Sequence, residues 1–118
     1  MSLDVTLYEE KPACEHCHRE HERVEIYSDN ITHNLGRMAK AADIYEALWR
    51  PEEINIKTAG ELIPLLTAGL KKLGANPVKY EQYNAPNGWG LYVHFVPFVE
   101  RYLDACVEHP NAKVEVSR

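Results

Sequence analysis

The chain has 118 residues, which suits a single domain, residues 1–118, with one hydrophobic core. Apolar residues make up 45% and charged residues 26%, which excludes the composition of a disordered chain. The formal charge is −5, and no basic run is longer than Lys71–Lys72. Because phosphate contacts require a basic surface, a nucleic-acid partner is not expected, and a basic or neutral partner fits better.

The N-terminal residues and the cysteines indicate the compartment. Met1–Lys11 carries Asp4, Glu9 and Glu10 and has no apolar core of its own, so we expect no signal peptide. No apolar stretch approaches the length of a membrane span, and no membrane partner is expected. An odd number of cysteines, three, does not suggest a secreted disulfide framework. These features together predict a cytoplasmic protein.

Three segments alternate apolar and polar residues with a period of two, which is typical of strands with one buried face. They are Leu3–Tyr8, Val24–Tyr27 and Lys113–Ser117. The first two are expected to pair as a hairpin with a long connection. The matched alternation at the two ends of the chain predicts that all three strands belong to one sheet.

Three helices are predicted between the second and third strands. Thr32 is a cap for a helix over His33–Trp49, and Thr58 with Glu61 is the capping box of a second helix that ends at Gly74. The third helix covers residues 89–109. The order β-β-α-α-α-β predicts the α+β class, with three helices packed on one face of a small, mostly antiparallel three-stranded sheet.

Two prolines are expected inside helices. The apolar stripe of the second helix continues across Pro64, and that of the third helix continues across Pro97. Proline removes a helical hydrogen bond, so each helix is predicted to bend at its proline.

A cysteine-rich segment between the first two strands is a candidate metal site. Cys14 and Cys17 have the spacing of a knuckle that directs two thiolates at one Zn²⁺. Two further ligands are needed, and His33 is preferred over His21 as their source. Zinc is therefore the one cofactor that the sequence suggests.

Two other interpretations of this segment stay open. Cys14-x-x-Cys17-His18 also matches the attachment motif for c-type haem, with Met38 as the second axial ligand. Haem is disfavoured because its covalent attachment normally follows export. The second of these interpretations is that the segment is a solvated polar loop with reduced cysteines.

Polar side chains also gather where the second strand meets the first helix, over Asp29–Asn34. His33 could act there as a general base oriented by Asp29, or bind a ligand together with Asn34. Alternatively, Asn30 and Thr32 are simply turn and capping residues.

The aperiodic stretch Ala75–Gly90 is rich in aromatic residues. Tyr80, Tyr83 and Trp89 are candidate binding side chains, because exposed Tyr and Trp are typical anchors of interfaces. The competing interpretation is that Tyr83 and Trp89 pack inward and fasten the loop to the core.

Two long segments, Asn30–Glu53 and Asn87–Arg118, resemble a family of short phage and bacterial proteins that has no assigned function. The most specific parts of this resemblance are the tripeptide at 32–34 and the tetrapeptides Leu48-Trp49-Arg50-Pro51 and Asn87-Gly88-Trp89-Gly90. With residues 61–73 the resemblance covers roughly the last three-quarters of the chain, but not Cys14–Cys17. It implies an accessory protein and brings no catalytic residues.

The sequence thus favours a small cytoplasmic accessory protein that acts by binding a partner or ligand, with a structural zinc knuckle. The alternative is a small metal-dependent or His-based hydrolase centred on His33. An enzyme would need a concave pocket where His33, Asp29 and the knuckle converge, and a cleft shared with Trp89 or Tyr83 would favour it. An oligomerisation module would instead show a flat apolar patch.

Overall fold

The computed structural model describes residues 2–11, 22–88 and 90–118. Strand β1 runs over Ser2–Lys11, β2 over Glu22–Thr32 and β3 over Lys113–Ser117. They form an antiparallel sheet in the order β2-β1-β3, so β1 is central. The prediction that all three strands share one sheet is confirmed.

The helical elements lie between β2 and β3. A 3₁₀ turn, His33–Leu35, leads into the helices, and their bounds are α1 Gly36–Ala41, α2 Tyr45–Trp49, a 3₁₀ turn Pro51–Ile54, α3 Ala59–Ala75, α4 Pro77–Glu81 and α5 Tyr92–Glu108. Helix α3 packs on α5, and α5 packs on β2. The α+β class is confirmed. No helix in the described ranges is long and apolar enough to cross a membrane.

The sheet buries one face against the helices because β1 alternates. Leu3, Val5 and Leu7 are fully buried. Val116 lies opposite Val5 and Val114 lies opposite Leu7, so β3 extends the same apolar face. The matched alternation therefore identified both the strands and the face that they bury.

Strand β2 is much longer than the predicted Val24–Tyr27. It continues through polar residues to Thr32, which pairs with Ser2 at the far end of β1. The pairing shifts by one residue between Leu7 and Tyr8, which marks a bulge in the ladder. An edge strand can continue without apolar alternation when its partner strand supplies the hydrogen bonds, which is why the periodicity missed its second half.

The single first helix predicted over His33–Trp49 is wrong. Asp43 adopts a φ of 61°, in the left-handed region, and this separates α1 from α2. Two tertiary contacts fix the break. Asp43 pairs with Lys72 of α3, and Ile44 packs against Gly69 of the same helix.

The capping box at the start of α3 is confirmed. The backbone N–H of Thr58 donates to Glu61 Oε1 at 3.1 Å, and the N–H of Lys57 donates to the same oxygen. These hydrogen bonds hold the pKa of the Glu61 carboxyl below its usual range. Pro64 and Pro97 both lie inside helices, as predicted.

The core contains two polar groups on α5. Burial raises the pKa of the Cys106 thiol to about 12, because its apolar surroundings disfavour the thiolate. Burial also raises the pKa of Tyr102, whose ring stacks on Tyr27 with centroids 6.0 Å apart. Helix α5 is thereby fastened to β2, and this contact positions the helix beside the site described next.

Candidate functional site

Two adjoining clefts open where β2 ends. The larger cleft has a volume of about 910 Å³ and lies between the end of β2, the first 3₁₀ turn, the loop before α5 and the first turn of α5. The smaller cleft has a volume of about 770 Å³ and lies between that turn, α1 and residues 82–87. Both clefts are lined by His33, Asn34 and Asn87. We call them together the paired clefts.

The strand end places His33 between the two clefts. Thr32 keeps an extended backbone, with φ −67° and ψ 143°, and its Oγ1 accepts a hydrogen bond from the N–H of Asn34 at 3.3 Å. This side-chain cap ends the strand and starts the turn in one residue. The capping role considered for Thr32 is therefore present, and it holds His33 at the site.

Trp49 fixes the ring of His33. The indole Nε1–H donates to His33 Nδ1 at 2.9 Å, and Trp49 is only 3% exposed and stacks on Tyr45 with centroids 5.4 Å apart. An indole nitrogen can only donate, so Nδ1 must accept and the neutral imidazole carries its proton on Nε2. Nε2 makes no hydrogen bond to any residue that the structure describes, which leaves it as a donor for a ligand.

Gly90 joins the loop before α5 to the first 3₁₀ turn. Its φ is 114°, and a Cβ built on it would lie 3.0 Å from the Cβ of Asn34 and 3.3 Å from Cγ2 of Thr32. The loop is closed on itself, because the N–H of Ala85 donates to the carbonyl of Gly90 at 3.0 Å. Only glycine permits this backbone approach, which forms one wall of the larger cleft.

Asp29 does not orient His33. Its Oδ2 accepts hydrogen bonds from the Arg101 guanidinium at 2.9 and 3.1 Å and from the Tyr27 hydroxyl at 3.1 Å. Burial, with the nearby Asp29 charge, raises the pKa of Tyr27 to about 12. Asp29 thus fastens β2 to α5, and the His33–Asp29 pair of the hydrolase alternative is replaced by His33–Trp49.

His33, the preferred histidine ligand of the predicted zinc site, lies beyond the Ser2 end of β1. Ser2 and Lys11 are the two ends of β1, about 30 Å apart at the usual rise of a strand. His33 follows Thr32, the partner of Ser2, whereas Cys14 is three residues from Lys11 and three residues of chain reach at most about 11 Å. Cys14 and His33 are therefore not expected to share one ion.

The other predicted metal ligands, Cys14, Cys17 and His21, lie outside the described residues. Within residues 2–11, 22–88 and 90–118, no three His, Cys, Asp or Glu side chains are grouped so that they could hold a metal ion. The zinc prediction for the cysteine-rich segment therefore stays a prediction.

The three predicted aromatic anchors differ in where they lie. Tyr83 lines the smaller cleft and is 37% exposed. Tyr80 is only 3% exposed, because the short helix α4 turns its ring into the core, so its prediction as a binding side chain is wrong. Trp89 lies outside the described residues.

Arg37 is the main cleft residue that the sequence reasoning missed. It lies four residues after His33 and lines the smaller cleft, and His94 of α5 lines the larger one. A signal was present for Arg37, since residues 31–42 contain no Asp or Glu to pair with it along the helix. His94 had no such signal, because it reaches the site only through the packing of α5.

Comparison with known proteins gives no match. No protein-family model, curated protein or solved structure matches the chain. The resemblance to short phage and bacterial proteins stays a prediction.

Proposed function

We propose that this protein is a small accessory protein that acts by binding a partner or ligand in the paired clefts. One observation carries the proposal: two clefts of substantial volume meet at His33, Asn34 and Asn87. Their linings are rich in amide, hydroxyl and imidazole groups, which recognise a ligand through hydrogen bonds. A cytoplasmic location, expected from the sequence, is part of the same proposal.

The lining favours binding over hydrolysis. Among the described lining residues neither cleft has a carboxylate, the group that usually orients a catalytic histidine. His33 and Tyr83 do share a cleft, as an enzyme would need. However, His33 Nδ1 is bonded to Trp49 and Asp29 is bonded to Arg101, so the groups of the hydrolase alternative do not converge.

A steric block of the larger cleft tests this proposal. Asn30 is exposed on β2 and lines the larger cleft, whereas Ser28 is exposed on the same face of the same strand and lines neither cleft. Tryptophan is well tolerated in strands, so Asn30→Trp should fill part of the cleft while Ser28→Trp provides the matched control. The probes are amino acids, N-acetyl dipeptides, monosaccharides and nucleosides at millimolar concentration, and binding is read as a rise in melting temperature.

We expect at least one class of probe to raise the melting temperature of the wild-type protein and of Ser28→Trp, but not that of Asn30→Trp. If both variants lose the rise in melting temperature, or if both keep it, the binding site lies elsewhere. A panel in which no probe stabilises the wild-type protein would also count against the proposal.

A structural zinc site at Cys14 and Cys17, with His21 as a further ligand, belongs to the proposed function. Two thiolates of this spacing bind Zn²⁺ strongly, and removing the ion should release the far end of the β1–β2 hairpin. We expect about one zinc per chain in protein purified without chelators, since a single site is proposed. Elemental analysis measures this, and Cys14→Ser should abolish the zinc.

His33→Ala is the control for the zinc site. Because His33 stands at the opposite end of β1, this variant should keep its zinc. Well under one zinc per wild-type chain would refute the site, and loss of zinc in His33→Ala would contradict the strand pairing that separates the two ends.

A further inference from the structure

Arg37 differs from the other arginines that the structure describes. Four of the five form ion pairs with a carboxylate at 2.5–2.9 Å, namely Arg23 with Glu115, Arg50 with Glu53, Arg101 with Asp29 and Arg118 with Glu52. Arg37 is exposed on α1, lines the smaller cleft and forms no ion pair with any described residue.

The lack of an acidic neighbour is local to the cleft. The chain has 18 acidic residues against 13 Lys and Arg, so acidic partners are plentiful on the molecule as a whole. None lines the described part of the smaller cleft, and none occurs between Ile31 and Ala42. Arg37 thus places at a cleft of an acidic protein a positive charge that no described lining residue compensates, and this charge attracts anions.

Neighbouring groups complete a site for oxygen acceptors. His33 lies four residues before Arg37, lines the same cleft, and has Nε2–H as its remaining donor because Nδ1 is bonded to Trp49. The guanidinium offers a planar fork of N–H groups that matches the two oxygens of a carboxylate. Tyr83 adds a phenol hydroxyl from the wall of the cleft that residues 82–87 form.

We infer that the smaller cleft binds the carboxylate of a ligand, with Arg37 as the charge partner and His33 as a second donor. The inference rests on the proposed function and names the chemistry of its ligand. A single full positive charge lines the described part of the cleft, which suits a monoanion better than a phosphate dianion. The rest of the ligand lies toward the larger cleft, since His33, Asn34 and Asn87 are common to both.

Two probes that differ only in charge test the inference. N-acetyl-alanyl-alanine has a carboxylate, and N-acetyl-alanyl-alanine amide has the same body without the charge. Propionate supplies the carboxylate without a peptide body, and inorganic phosphate supplies a different anion. Dissociation constants are measured by NMR titration on the wild-type protein, on Arg37→Gln and on Arg50→Gln, whose arginine is exposed but paired with Glu53.

We expect the free acid to bind the wild-type protein at least about tenfold more tightly than the amide, which is the usual effect of one charge-assisted hydrogen bond pair. Arg37→Gln should remove this preference, and Arg50→Gln should keep it. Equal affinities of acid and amide, an unchanged preference in Arg37→Gln, or tighter binding of phosphate than of both carboxylates would overturn the inference.

The result also separates this inference from the proposed function. If the acid and the amide bind the paired clefts equally well, the binding function stands and the carboxylate site fails. If neither probe, propionate nor phosphate binds there, the carboxylate site fails and the proposed function loses its support. Propionate binding as tightly as the acid identifies a small carboxylate as the source, whereas preference for the acid identifies a peptide terminus.

Discussion

Replacing Gly69 with alanine should lower the free energy of unfolding by about 2–3 kcal/mol, the usual cost of overpacking a core. Gly69 is buried on α3, and a Cβ at this position would clash with Cγ2 of Ile44 and would lie 3.1 Å from its Cδ1. Ile44 is itself buried and follows the left-handed residue Asp43, so it cannot move without disturbing the junction of α1 and α2. Urea unfolding followed by circular dichroism measures the change.

Gly74→Ala is the matched control in the same helix. Apart from its chain neighbours and the backbone of its own helix, no described heavy atom lies within 4 Å of a Cβ at Gly74, so the substitution gains helix propensity without a clash. It should leave stability unchanged or raise it by up to about 1 kcal/mol. Equal effects at Gly69 and Gly74 would mean that Ile44 does not pack on α3, and the account of the split first helix would fail.

Replacing Gly90 with alanine should have the second large effect, a loss of about 2 kcal/mol of stability that is concentrated at the paired clefts. A side chain there meets two obstacles, the φ of 114° and the contact of 3.0 Å with the Cβ of Asn34. The loop wall must move away from the turn that carries His33. Urea unfolding gives the stability, and the affinity for N-acetyl-alanyl-alanine reports on the cleft.

Gly88→Ala separates backbone strain from steric contact. Gly88 also has a positive φ, 78°, but apart from its chain neighbours no described atom lies within 4 Å of its Cβ position. It should cost only the strain of a left-handed alanine, about 1 kcal/mol, and should lower the affinity less than Gly90→Ala does. If Gly90→Ala binds the probe as well as Gly88→Ala, the loop does not form a wall of the site.

Those parts of the fold that depend on local sequence could be predicted. Strand β3 was predicted with its observed bounds, because its alternation continues the buried face of β1. The capping box at Thr58 needs only two residues three apart, and the apolar stripes showed that Pro64 and Pro97 lie inside helices. At the site, the same local reasoning identified the capping residue Thr32 and the cleft residues His33 and Asn34.

The parts that were missed depend on contacts between distant residues. The break at Asp43 is set by α3, and the burial of Tyr80 is set by a short helix that no periodicity marks. The bond between Trp49 and His33 joins residues 16 apart, and it replaces the carboxylate that the sequence suggested as the partner of His33. The position of His33 also depends on strand pairing that the periodicity did not show, since extending β2 to Thr32 carries His33 past the Ser2 end of β1, away from Lys11.

The indole N–H resonance of Trp49 is the most direct test of the claim that ligands bind in the paired clefts. The indole N–H of Trp49 donates to His33 Nδ1 at 2.9 Å, so a ligand that contacts the imidazole changes the strength of this hydrogen bond. In a titration of the wild-type protein with N-acetyl-alanyl-alanine, we expect the resonance to shift and to saturate together with the backbone amides of His33 and Arg37. A resonance that stays fixed while the probe shifts amides elsewhere on the protein would contradict the account.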